Sequence, residues 1–213
     1  MSQDQRKPQT ARDRQKAKEA ARRKKIAALF SHAPSETARP ADTIRSARAF
    51  PIHDCLINPS WRTEGLAKIL LSRQQPDGRI TFGVYLVDLY CLGVKNTFCN
   101  AGFALRRYEE DTKPGVFGSE PYAPCPVSLA HEIIYGGIDY AASLGFGPHH
   151  DFELSEHILE PREALRQKTG VEFGHDGMPL YVTGPRDDVD QILETLRKNL
   201  GEGNFHFIVG GPI

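Results

Sequence analysis

The sequence lacks long hydrophobic runs and paired cysteines. No apolar stretch approaches the roughly 20 residues that a membrane-spanning helix requires, so we expect no membrane partner. The N-terminus is polar and basic without an apolar core, so no secretory signal is predicted. The cysteines form no CxxC pair, and in a cytoplasmic protein, the location we expect, they would be reduced thiols that pack as small hydrophobic groups. They are Cys55, Cys91, Cys99 and Cys125.

Sequence motifs of the common enzyme classes are also missing. Gly93-Val94-Lys95 is expected to lead from a strand into a helical stretch, but it has neither the P-loop nor the GxGxxG spacing, so nucleotide binding is not supported. No GxSxG sequence is present. His131-Glu132 begins like the zinc-protease motif HExxH, but Tyr135 stands where the second histidine belongs. No cofactor is predicted from these motifs, and whether the protein is an enzyme stays open.

The neutral net charge combines two segments of opposite charge. Residues 1–30 hold ten basic and three acidic side chains, which gives +7. Residues 31–213 hold 17 basic and 24 acidic side chains, which gives −7. An asymmetry of this size indicates a charged partner rather than a particular fold.

The basic N-terminal arm, residues 1–44 with its linker, is predicted to bind RNA or DNA. Strong helix formers fill residues 11–30, but few are apolar, so the arm should be disordered alone and helical when bound. Basic side chains bind phosphates with release of condensed counterions, and no aromatic residue before Phe30 offers base stacking. Two alternatives are a solvated tail and an arm that folds onto its own acidic domain. The predicted phosphate-binding residues are Arg12, Arg14, Lys16, Lys18, Arg22, Arg23, Lys24 and Lys25.

The rest of the chain, residues 45–213, is predicted to form one α+β domain after a linker at Ser31–Asp42. Strands grouped before helices favour a mixed, mainly antiparallel sheet with packed helices. Gly136 and Gly137, in the middle of a helix, indicate a close backbone neighbour. Residues 111–127 are expected to form a long loop. The predicted strands are Ala49–Ile57, Leu66–Ser72, Ile80–Leu92 (apolar on both faces and therefore central), the hairpin Val171–Phe173 with Pro179–Thr183, and Phe205–Val209; the predicted helices are Ser128–Leu144, Pro161–Gly170 and Asp187–Leu200.

Asp88 interrupts the most apolar of these strands. A buried carboxylate costs several kcal/mol unless it is paired, hydrogen-bonded or protonated. Strand carboxylates can hold a divalent ion, and Asp54 would lie beside Asp88 if their two strands paired. The structural alternative is that Asp88 accepts hydrogen bonds from the turn at Leu92-Gly93 or pairs with Lys95. Asp88 and Asp54 are therefore the catalytic candidates.

His149-His150-Asp151 is the densest set of metal-ligand types in the chain. Imidazole and carboxylate suit zinc, manganese or iron, and a further ligand from His131 or Asp88 would complete a divalent metal site. The alternative is that Asp151 caps a following helix.

Three hypotheses for function follow from these features. The first is a nucleic-acid-associated accessory protein that binds phosphates through its arm. The second is a metal-dependent hydrolase or nuclease that uses the strand carboxylates and the His-His-Asp cluster. The third is a protein-interaction module with an acidic functional surface.

Overall fold

The computed structural model describes residues 40–164, 170–185 and 187–208. Within them a five-stranded antiparallel sheet is surrounded by helices, so the predicted α+β class is confirmed. The strands are β1 (Ile52–Ile57), β2 (Leu66–Gln74), β3 (Ile80–Asp88), β4 (Gly93–Phe103) and β5 (Ala123–Pro124), and their order across the sheet is β4-β3-β2-β1-β5.

Strands β2 and β3 are buried on both faces. The sequence predicts this for β3. Ile69 and Tyr85 point to one face, where they pack with Ile133 of the long helix described next. Leu70 and Phe82 occupy the alternate positions of the same two strands and point to the other face. Side chains alternate along a strand, so a continuous apolar run is what a strand with two covered faces requires.

The first face is covered mainly by helix α5. The helices in chain order are α1 (Pro40–Arg45), α2 (Trp61–Glu64), α3 (Leu105–Arg107), α4 (Lys113–Phe117), α5 (Val127–Leu144), α6 (Phe152–Ser155) and α7 (Val189–Leu200), with 3₁₀ turns at Ala47–Ala49 and Glu156–Ile158 and a π-helical turn at Tyr108–Thr112. Helix α5 ends where predicted, because Gly145 adopts the left-handed conformation with φ +98°. Helix α1 buries Ile44, so residues 40–45, assigned mostly to the linker from sequence, lie against the core.

The second face is covered by the segment that follows β4. Tyr108, Val116 and Phe117 pack there with Leu70 and Phe82. Part of the expected loop 111–127 is therefore helical. Its proline and glycine content is compatible with α4, since Pro114 stands in the first turn, where its missing N–H is harmless.

The expectation that a helix follows Gly93-Val94-Lys95 is wrong, because these residues begin strand β4. The predicted strand Ile80–Leu92 ends at Asp88, the chain turns, and Gly93–Phe103 returns beside β3. The turn is possible because Gly93 adopts a positive φ of +62° and Asp88 accepts hydrogen bonds from the turn backbone.

The C-terminal region forms a smaller layer. Helix α7 begins at the N-cap Asp188, whose carboxylate accepts a hydrogen bond from the N–H of Gln191, and ends before Gly201, close to the predicted bounds. Strands β6 (Leu180–Val182) and β7 (His206–Ile208) pair in parallel. Leu196 of α7 packs with Cys91 and Tyr181 in a third apolar cluster.

Of the hairpin predicted around His175-Asp176-Gly177, only the turn forms, with an antiparallel bridge between His175 and Met178; the flanking segments Val171–Phe173 and Pro179–Thr183 do not pair as strands. Phe173 instead lies against Gly136 of α5, where a glycine leaves room for its ring. Strand β6 takes β7 as its partner. Of the predicted helix Pro161–Gly170, residues 161–164 form a turn and residues 165–169 lie outside the described residues.

Candidate functional site

Asp88 is a structural residue at the end of β3. Its carboxylate accepts hydrogen bonds from the N–H groups of Tyr90 (2.9 Å) and Cys91 (3.1 Å), and only 8% of the residue is exposed. Burial raises the pKa of this carboxyl above its ordinary value, although these hydrogen bonds and the charge of Lys95 oppose the shift. The arrangement matches the structural alternative, because the backbone of the turn, including Leu92 as expected, donates to this carboxylate.

Asp54 lies far from Asp88, so the two do not form a metal pair. Strand β1 pairs with β2 and β5 rather than with β3. Asp54 is opposite Ser72, which is opposite Phe82. Phe82 precedes Asp88 by six residues along the strand, which corresponds to about 20 Å. The idea that both carboxylates share one ion is therefore wrong.

Asp54 belongs to a different polar cluster, which the sequence analysis missed. The structure brings it together with His53 and Glu109, whose ligand atoms lie within 4.8 Å of one another. The ammonium group of Lys113 lies 2.8 Å from carboxylate oxygens of both Asp54 and Glu109. Burial works against the charged form of Lys113, but the hydrogen bonds to these carboxylates outweigh it and raise its pKa. The ammonium group of Lys113 thus lies between the carboxylates of Asp54 and Glu109.

The residues of this cluster come from two distant segments of the chain. Residues 53 and 54 lie on β1, and Glu109 and Lys113 lie on the helical segment that covers the second face of the sheet. The hydroxyl of Tyr108 donates to Asp54 over 3.0 Å. The i,i+4 spacing of Glu109 and Lys113 was the only available sequence signal, and it is common on exposed helices.

The predicted metal ligands His149, His150 and Asp151 do lie together. The ligand atoms of the three side chains lie within 4.8 Å of one another, so this group could hold a metal ion. Asp151 places its carboxylate oxygens 3.8 Å from Nδ1 of His149 and 3.3 Å from Nε2 of His150. Asp151 also precedes α6, but its side chain makes no capping hydrogen bond there.

The electrostatic surroundings favour neutral imidazole at His149. Partial burial lowers the pKa of His149, and the neighbouring His150 lowers it further, while Asp151 opposes both effects. Neutral imidazole is the form that binds metals. The further ligands proposed from sequence are placed elsewhere, since Asp88 caps its turn and His131 is buried with its Nε2 3.2 Å from the carbonyl oxygen of Pro161.

An open cleft of about 350 Å³ lies between α5, α6 and the residues after α1. Arg48 and Arg162 flank it, and Tyr135 and Phe152 contribute aromatic rings to its wall. Both guanidinium groups already have protein partners: Arg48 donates to the carbonyl oxygens of Leu159 (2.7 Å) and Glu156 (3.0 Å), and Arg162 pairs with Asp139. The lining residues are scattered along the chain, so no sequence pattern indicated the cleft.

The eight basic residues predicted to bind phosphates, Arg12 to Lys25, lie outside the described residues. The described part of the chain carries 13 lysine and arginine side chains against 23 aspartates and glutamates, so it is strongly acidic. Several of its cations are held in close ion pairs. They include Lys68 with Glu120, Arg73 with Glu160 and Lys95 with Asp187.

No family model, curated protein or solved structure matches this chain. Across the described ranges, no helix combines the length and apolar character needed to cross a membrane.

Proposed function

We propose that this protein is a nucleic-acid-associated accessory protein that binds RNA or DNA phosphates through its basic N-terminal arm. The observation that carries the proposal is the separation of charge along the chain. Ten basic side chains lie within residues 1–30, while the described residues hold 23 acidic and 13 basic side chains. Phosphate backbones are a dense anionic partner for such an arm.

The acidic character of the described residues supports assigning phosphate binding to the arm alone. A surface with excess carboxylates repels a polyanion, and the cations of Lys68, Lys95 and Lys113 are already paired with carboxylates. The arm joins the core through α1, whose Ile44 is buried, so binding by the arm would tether the acidic part beside the nucleic acid. The arm should contribute affinity without sequence preference.

Charge-matched variants of the full chain test this proposal. One variant carries Arg22→Gln, Arg23→Gln, Lys24→Gln and Lys25→Gln. Its control removes four exposed cations of the described part, with Arg106→Gln, Arg107→Gln, Arg197→Gln and Lys198→Gln. Binding of labelled RNA and duplex DNA is measured for both and for the unmodified chain at 50 and 200 mM salt.

We expect the arm variant to lose roughly tenfold or more in affinity and to show a shallower dependence on salt, because each lost phosphate contact lowers the slope by about 0.9. The control should bind like the unmodified chain. Equal losses in the two variants would assign binding to net charge rather than to the arm, and absence of binding in the unmodified chain would refute the proposal.

A second candidate function is divalent metal binding at His149, His150 and Asp151. The convergence of three ligand types within 4.8 Å favours it. Such a site supplies three protein ligands and leaves positions for water or substrate, which is the composition of catalytic rather than structural zinc sites.

Titration calorimetry with zinc and manganese tests this second candidate on the full chain and on His150→Ala. The matched control is His175→Ala, since His175 also pairs with a neighbouring aspartate, Asp176, at 3.3 Å. We expect His150→Ala to abolish one binding event and the control to retain it. Identical titrations of the two variants would remove this site from consideration.

A further inference from the structure

Cys55 and Cys125 form a close thiol pair on neighbouring strands. Strand β1 pairs with β5 through Leu56 opposite Pro124, and the N–H of Cys125 donates to the carbonyl oxygen of Cys55 over 2.9 Å. Their Sγ atoms lie 3.4 Å apart, although the residues are 70 positions apart in sequence. Both sulfur atoms are present as free thiols.

From this geometry we propose that Cys55 and Cys125 are a redox-active dithiol, which hydroperoxides oxidise to an intramolecular disulfide and dithiol reductants restore. The two side chains face each other directly across the edge of the sheet. A disulfide needs the sulfur atoms to close to about 2.05 Å, which is a movement of little more than 1 Å for the pair. Such proximity makes disulfide formation far more efficient than between distant thiols.

The edge of the sheet can supply that movement. Strand β5 has only two residues, Ala123 and Pro124, and prolines at 121 and 126 stand beside it. A short edge strand has few ladder hydrogen bonds to break, so Cys125 can approach Cys55 without moving the centre of the sheet. Cys55 is 8% exposed and belongs to the core, while Cys125 is more exposed.

The two thiols have different roles in the reaction. Cys125 is the more exposed of the two, and a thiolate there would accept a hydrogen bond from the S–H of Cys55, which lowers the pKa of Cys125 although burial opposes the shift. The same hydrogen bond, burial and the carboxylate of Asp54 raise the pKa of Cys55. Cys125, the more exposed residue, is therefore the thiolate that attacks, and Cys55 is the resolving thiol.

With hydrogen peroxide, the reaction balances as a two-electron oxidation. The thiolate of Cys125 attacks one peroxide oxygen, the S–O bond forms, the O–O bond breaks, and the released hydroxide takes up a proton to leave as water. Cys55 then loses its proton and attacks the sulfur of Cys125. The S–S bond forms, the S–O bond breaks, and a second water leaves. The dithiol is oxidised and the peroxide is reduced to two waters.

Two other cysteines provide internal controls. Cys91 is fully buried in the third apolar cluster, and burial raises its pKa to about 12. Cys99 lies on β4, and burial together with the charge of Asp151 raises its pKa to about 12. Both thiols are held protonated, so they should react slowly with peroxide.

The test treats the reduced full chain with a small excess of hydrogen peroxide, blocks the remaining thiols with N-ethylmaleimide, and maps the disulfides by mass spectrometry. We expect the Cys55–Cys125 disulfide to exceed every other pairing by roughly tenfold or more. Dithiothreitol should then release two alkylatable thiols, those of Cys55 and Cys125, because Cys91 and Cys99 are already blocked. Cys91→Ser and Cys99→Ser should leave this result unchanged.

Two further variants separate the attacking from the resolving thiol. In Cys55→Ser the sulfenic acid on Cys125 has no partner, so dimedone should label Cys125. In Cys125→Ser no disulfide should form, and Cys55 should stay unlabelled. A chain that keeps all four thiols alkylatable, or that oxidises Cys99 as readily as Cys125, would overturn the proposal and leave the pair as packed hydrophobic side chains.

Discussion

A Cβ atom on Gly93 would lie 2.5 Å from the carbonyl oxygen of Gly137 and 2.8 Å from Cβ of Ala141, so the turn between β3 and β4 lies directly against helix α5. Gly93 also has a φ of +62°, which side chains other than glycine rarely adopt. Gly93 therefore sits where neither its conformation nor the adjacent backbone of helix α5 accommodates a side chain.

Substitution of Gly93 by alanine should be severely destabilising. The expected loss is about 3 kcal/mol or more, because backbone strain adds to a clash with the main chain of α5. Urea unfolding measures it. Gly78→Ala is the matched control, since Gly78 has a φ of +81° but nothing within 4 Å of the added Cβ, and it should cost only about 1 kcal/mol. Equal losses at the two positions would contradict the close approach.

Arg73 is a buried cation that ties β2 to two other segments. Its side chain is 3% exposed and pairs with Glu160 at 2.7 Å. It also donates to the carbonyl oxygens of Phe50 (2.8 Å) and Ile158 (2.7 Å). Arg73→Met would leave these acceptors without their donor, so we expect a loss of about 3–5 kcal/mol in the free energy of unfolding.

The control for this prediction is Arg79→Met. Arg79 pairs with Asp77 at 2.6 Å, but both side chains are nearly half exposed. Exposed pairs contribute about 0–1 kcal/mol, so this variant should unfold at nearly the urea concentration of the unmodified chain. A similar small effect for Arg73→Met would mean that water replaces its hydrogen bonds.

Asp88 should make the stability of the protein dependent on pH. Burial raises the pKa of Asp88 above 3.8, its value in an exposed carboxyl, so folding favours the protonated form. Its stabilising contribution is complete below the unfolded pKa and is lost as pH rises through the folded pKa. Asp88→Asn keeps an acceptor oxygen for Tyr90 and Cys91 but does not titrate.

We therefore expect the unmodified chain to lose stability relative to Asp88→Asn as the pH is raised from about 4 to about 7. Urea unfolding of both proteins at several pH values measures the difference. A difference that does not change with pH would show that Asp88 is ionised throughout this range.

Lys113 should prevent cation binding at the cluster of His53, Asp54 and Glu109. Lys113→Met removes the ammonium group that lies 2.8 Å from both carboxylates. We expect this variant to be less stable than the unmodified chain, and its melting temperature to rise with zinc by about 2–4 °C for each kcal/mol of binding energy. Lys113→Arg keeps the positive charge, so zinc should raise its melting temperature no more than that of the unmodified chain. An equal response of both variants would place the ion elsewhere.

Several local elements of the fold could be predicted from sequence because their signals lie within a few residues. The long apolar run at Ile80 indicates a strand covered on both faces, and the structure confirms it. Gly145 and Gly201 mark the ends of α5 and α7. The adjacent Gly136 and Gly137 correctly predict a close neighbour, but not that it would be Gly93 and Phe173.

The wrong predictions concern segments whose structure depends on distant partners. Strand β4 carries a mixture of polar and apolar residues and becomes a strand because β3 offers it an open edge. Residues 113–117 become helical because Val116 and Phe117 cover the second face of the sheet. Strand β6 pairs with β7 rather than with the nearer residues 171–173. In each segment tertiary burial outweighs local propensity.

In the candidate sites, too, local features could be predicted from sequence and contacts between distant residues could not. The sequence by itself determined the charge separation and the adjacency of His149, His150 and Asp151, because both are properties of neighbouring residues. Only the tertiary structure decided that Asp54 meets Lys113 rather than Asp88, and that Cys55 meets Cys125 across 70 positions. Strand order and register set those contacts, and they depend on which faces the whole chain can bury together.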